Sequence, residues 1–145
     1  MSARKCVQAS FLLFWIPCAW VGLVVSQSSA YGPEVRAYIN YLRDEEAELE
    51  FQIRHNEISR KEYTRARNRI AILRQTVLDI ARKTGEDRVP EIYVIPAATL
   101  DQYIEEGMKA LKGVKPGGIV AERWLYIGRV VRGEPYYIFE RLSRK

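Results

Sequence analysis

Histidine and cysteine are nearly missing from this chain of 145 residues: His55 is the sole histidine, and the two cysteines are Cys6 and Cys18. Zinc and copper centres draw on several imidazole or thiolate donors, so no metal site and no cofactor is expected. A Ser-His-Asp triad is equally out of reach. Ser59 reads as a helix cap, and neither a second histidine nor a nucleophile elbow is present. The acidic run from Asp44 to Glu50 lacks the alternating oxygens and turn glycine of a calcium loop. The glycines between Gly113 and Gly118 follow a helical pattern and precede a strand, and no Ser or Thr comes after Lys115, which excludes a phosphate loop. No catalytic residue is assigned, and the chain reads as a non-enzyme.

Acidic residues are absent from the amino terminus, where the first is Glu34. Arg4 and Lys5 are followed by an apolar run from Phe11 to Val25, and Ser28 and Ala30 then fit a small-x-small cleavage pattern. Residues 1–30 therefore read as an export signal. The run of about 15 apolar residues makes roughly 22 Å of helix, short of the ~30 Å hydrocarbon core. Extended back to Cys6 it approaches a span, so an uncleaved anchor over residues 6–25 is the alternative. Either way the remainder is expected in the periplasm or cell envelope, free or held at the inner membrane. Both cysteines fall inside the signal, which leaves the body without a disulfide. Without Arg4 and Lys5 the body carries 21 cationic against 18 acidic side chains, +3, too slight an excess to indicate nucleic acid.

Residues 33–84 carry two helical patterns. Val35, Ile39, Leu42, Glu46, Leu49 and Ile53 repeat at alternating steps of four and three, as do Tyr63, Ala66, Ile70, Leu73, Val77 and Ile80. Pro33 suits a first helical turn. Between the helices, Asn56 suits a left-handed helix end, Ser59 and Glu62 form a capping box, and Ile58 with Tyr63 forms a hydrophobic staple. So short a link predicts an antiparallel hairpin. Acidic residues from Asp44 to Glu50 then face the basic Arg60, Lys61, Arg65, Arg67 and Arg69, which favours that register.

Ile58-Ser59, then Glu62-Tyr63, Arg67 and Ile70, with Asn56 in place of a glycine, resemble the SHOCT helical module over about residues 49–72. The resemblance implies an oligomerisation or interaction role.

After a linker over 85–90, marked by Gly85 and Pro90, residues 91–143 change character. Ile92 to Ile95 reads as a strand. Thr99 to Lys112 reads as a helix with a second capping box at Thr99 and Gln102. Its apolar face is Leu100, Tyr103, Ile104, Met108 and Leu111. Strands are expected over Ala121–Val131 and Tyr136–Leu142. The fold class is thus α+β: a signal or anchor helix, a long antiparallel hairpin, then a small β-α-β-β layer.

Pairing Val131 with Tyr136 would place Trp124, Tyr126, Val130, Tyr137 and Phe139 on one sheet face. Leu125, Ile127, Val131, Tyr136, Ile138 and Leu142 would share the other, with Arg129 and Glu140 paired diagonally. Both faces are apolar, and the expected helix covers one. The aromatic face (Trp124, Tyr126, Tyr137, Phe139) and the arginine stripe (Arg60, Arg65, Arg67, Arg69) are the candidate binding residues. The leading expectation is a non-catalytic exported protein acting by protein–protein contact or self-association. A small hydrolase or glycan-acting enzyme using Glu122, Glu134 and Glu140 is the second reading, and a binder of anionic membrane surfaces through Arg60–Arg69 the third.

Overall fold

The computed structural model describes residues 30–142; the expected signal or anchor lies outside them. Helix α1, Pro33–Arg54, and helix α2, Arg60–Thr84, form the hairpin. Its turn follows the local rules. Asn56 takes φ 57°, Ser59 N–H donates to Glu62 Oε2 at 2.8 Å, and Glu62 N–H donates to Ser59 Oγ at 3.2 Å. Gly85 ends α2 in the left-handed conformation, φ 72°, its N–H bonded to Ala81 O at 2.9 Å.

The start of α1 is held from far along the chain. Asp87, in the expected linker, accepts the N–H of Glu34 and of Val35, each at 3.0 Å. Glu34 Oε1 in return accepts Val89 N–H at 3.0 Å. A Cβ on Gly32 would lie 2.1 Å from Asp87 Cγ, so the N-cap glycine leaves room for this carboxylate.

Four antiparallel strands follow: β1, Ile92–Pro96; β2, Ile119–Val120; β3, Trp124–Arg132; and β4, Glu134–Arg141, in the spatial order β1-β4-β3-β2. The expected α+β class holds in this helices-then-sheet form. Two details differ. Ala121 and Glu122 adopt φ 47° and 60°, so residues 121–123 turn between two strands and do not extend one. The β3–β4 hairpin closes around Gly133, φ 73°, with Val130 opposite Tyr136 and Val131 opposite Pro135. A bulge between Tyr126 and Gly128 then shifts the register again. The two one-residue shifts cancel in parity at the aromatic end. Trp124, Tyr126 and Phe139 therefore share a face as expected, whereas Val130 turns to the opposite side and packs with Ile127, Tyr136 and Ile138.

No α-helix covers Thr99–Lys112. Ala97–Gln102 is a 3-10 segment, followed by tight turns such as Gly107 N–H to Ile104 O and Lys109 N–H to Glu106 O, both 2.9 Å. Left-handed Glu106 and Gly107, φ 64° and 49°, cannot continue a helix. Leu100, Ile104 and Leu111 still reach the core, but Tyr103 and Met108 are 42% and 49% exposed. The second capping box is not made, and Thr99 Oγ1 donates instead to Pro96 O at 3.3 Å.

Three buried groups hold the molecule. Trp124, Tyr126, Tyr137 and Phe139 pack under Leu100, Ile104 and Leu111. Ile72 of α2 packs on Val94, Tyr136 and Ile138 across the opposite sheet face. Val35, Val77 and Ala81 join the two helices, with Val89 and Ile92 against them.

Candidate functional site

The aromatic candidates are core residues. Trp124, Tyr126, Tyr137 and Phe139 are 5%, 8%, 7% and 0% exposed beneath the 97–114 segment. Tyr93 stands nearly perpendicular to Trp124 at 4.9 Å between ring centres. Covered this way, the four rings belong to the core, although Tyr126 and Tyr137 also line a surface pocket beside Met108 and Val114.

The arginine stripe divides. Arg65 makes a two-pronged bond to Glu134, at 2.7 and 2.8 Å, tying α2 to the β3–β4 turn. Asn68 Nδ2 donates to Arg132 O at 3.0 Å beside it. Arg67 reaches Glu46 at 3.5 Å, and Arg74 reaches the same carboxylate at 2.8 Å. Glu46 thus carries the expected charge opposition between the helices, and its carboxyl is held low, first by Arg74. Arg60 and Arg69 hold no hydrogen-bonded or ion-paired side-chain partner among the described residues.

The carboxylates proposed for hydrolysis go to different partners. Glu134 serves Arg65, which keeps its carboxyl below the usual range. Glu140 faces Arg88 at 3.5 Å, not the expected Arg129, which lies opposite Tyr137. Glu122 is exposed in the 121–123 turn. Among the described residues no cluster of three His, Cys, Asp or Glu side chains is placed to hold a metal ion. His55 Nδ1 lies 2.8 Å from Phe51 O, and its ring stacks on Phe51 at 3.9 Å, consistent with a helix-end role.

A different feature emerges along β1. A groove of about 520 Å³ runs between α2 and this edge strand. Glu62, Ala66, Arg69 and Leu73, one stripe of α2, form one wall; Thr99, Gln102 and Tyr103 form the other; residues 92–96 form the floor. The direction of the backbone groups in that floor is fixed by one bond. Arg141 N–H donates to Glu91 O at 2.9 Å, and these residues lie directly opposite in the ladder that pairs Ile92 with Glu140. Bonded pairs alternate in an antiparallel ladder, so Glu91, Tyr93 and Ile95 turn their backbone toward β4. Ile92 and Val94 turn their N–H and C=O outward, away from the sheet. Pro96 also faces outward, where its missing N–H costs no ladder bond. A proline ending a strand was the one sign of an edge in the sequence. Which strand would lie beside β1 was not readable there. Comparison with family models, with curated proteins and with solved structures gave no match to this chain.

Proposed function

We propose that this is a non-catalytic, exported cell-envelope protein that works by protein–protein contact and by self-association through its helical hairpin. The observation that carries the reading is the uncovered end of that hairpin. Away from the turn the heptad-like seam is closed at Val35, Leu42, Ile70 and Val77, whereas toward the turn Leu49, Ile53 and Tyr63 are only partly buried, because two helices alone cannot enclose it. Tyr41 and Phe51 add 54% and 45% exposed aromatic surface on α1. A second hairpin laid along the first would complete a four-helix seam. The resemblance of residues 49–72 to the SHOCT module points the same way. Export rests on the charge and apolar pattern of residues 1–30.

Light scattering of the protein recovered from its native compartment tests self-association, and its intact mass tests removal of residues 1–30. A dimer or larger assembly is the expected result. A monomer at high concentration removes the hairpin reading, and a protein retained in the cytosol removes export.

A further inference from the structure

We infer that the open edge of β1 takes up an extended, acidic peptide segment of a partner protein as a fifth strand of the sheet. The inference rests on the reading of the protein as a protein-binding module, and it names where and what that module binds. Strand addition requires a run of unpaired backbone donors and acceptors facing accessible space. Ile92 and Val94 supply both kinds outward, into a groove rather than into another segment of this chain.

The walls select the shape of the occupant. β1 lies recessed between α2 on one side and Thr99, Gln102 and Tyr103 on the other. Neighbouring strands must come within about 4.8 Å of one another. A second copy carries its own β1 inside the same recess, so two copies cannot bring their edges that close. A slim single strand can. Five residues of β1 match a peptide segment of about 17 Å.

The charge selects its chemistry. Three charged side chains line the groove: Glu62, Arg65 and Arg69. Glu62 keeps its charge but sits in the first turn of α2, where it accepts Ser59 N–H beside the positive end of the helix dipole, two turns away from Arg69, and Arg65 is neutralised by Glu134. At the start of β1, Glu91 pairs with Arg141 at 3.3 Å. Arg69 remains without a counter-charge among the described residues, and it stands beside Ala66 and Leu73 in the wall. Side chains of an added strand alternate in direction. One set meets α2, where a carboxylate finds Arg69; the other set meets Tyr103, where an apolar side chain fits.

The test uses the full chain in mild detergent and a fluorescein-labelled hexapeptide of alternating valine and glutamate, read by anisotropy. Two further versions carry N-methyl groups on the three valine amides or on the three glutamate amides. Strand addition turns one set of amides to β1 and the other to solvent, so one version is expected to bind and the other to lose about tenfold or more. Arg69→Glu, an exposed change, is expected to weaken the acidic peptide by about tenfold and to favour the valine–lysine analogue. No binding of the unmodified peptide, equal behaviour of the two methylated versions, or indifference to Arg69→Glu overturns the proposal. Sedimentation of the same samples separates it from the hairpin reading. An assembly that ignores the peptide removes the groove alone, and a monomer that binds it removes the hairpin seam alone.

Discussion

Asp87 and Glu34 cap one another's chain segments across more than fifty residues. Asp87 accepts the first free amides of α1, and Glu34 accepts the Val89 amide just before β1. This is the logic of a capping box, assembled from two distant pieces of chain. Asp87→Ala is expected to cost about 1–2 kcal/mol, the usual loss of a helix cap. Gly32→Ala should cost about 1 kcal/mol by displacing the same carboxylate, and the double variant should lose less than the sum, since both act on one contact. Urea denaturation measures all three; strict additivity would show that Gly32 acts elsewhere.

The Arg65–Glu134 bond predicts an acid dependence. Hydrogen bonding to Arg65 is the main cause of the lowered Glu134 pKa, and Tyr136 contributes as a second donor. A carboxyl whose pKa falls on folding stabilises the fold above its unfolded-state pKa and loses that contribution as pH drops through the folded value. The stabilisation is therefore intact at neutral pH and begins to be lost as pH falls past the unfolded carboxyl value of about 4. Glu46, held low chiefly by Arg74, acts in the same direction. Glu134→Gln should lower the thermal midpoint at pH 7, and the gap to the parent protein should narrow progressively as pH falls below about 4. A gap independent of pH would deny the coupling.

Burial of the aromatic face has a spectroscopic consequence. Trp15 and Trp20 lie within the first thirty residues, so the body after Ala30 holds Trp124 alone. Its emission should be blue-shifted and resistant to acrylamide, unlike that of a ring on a sugar-binding surface. Phe139→Ala should cost about 3–5 kcal/mol, as removal of a fully buried ring does. A loss under about 1 kcal/mol would mean the face is not packed.

Two helix ends rely on left-handed backbone. Gly85→Ala should cost about 1 kcal/mol through conformation alone, because a Cβ there meets nothing within 4 Å. Asn56→Gly should be neutral or stabilising by a few tenths of a kcal/mol, and Asn56→Val destabilising. Chemical denaturation of the three variants gives the order directly.

The hairpin was readable because its signals are local. The capping box spans four residues, and the seam repeats within each helix. The segment after Pro96 carries a misleading helical pattern for the opposite reason. Leu100, Ile104, Gly107 and Leu111 recur at helical spacing and are all buried, yet Glu106 between them is left-handed, a conformation its side chain does not advertise. The aromatic grouping of the last two strands survived an incorrect turn because the bulge at Ile127 restored the parity. Val130, beyond that bulge, did not benefit. The Asp87 cap and the β1 groove depend on contacts between distant residues, and no short window of sequence contains them.

Helix α2 leaves little independence to the parts on either side of it. Ile72 lies buried with the sheet, and Val77 and Ala81 lie buried with α1, within three turns of one rod. Melting the sheet would strand Ile72 in water, and peeling α1 away would do the same to Val77. Hairpin and sheet should therefore unfold in a single cooperative step, with the slowest amide exchange centred on the middle of α2.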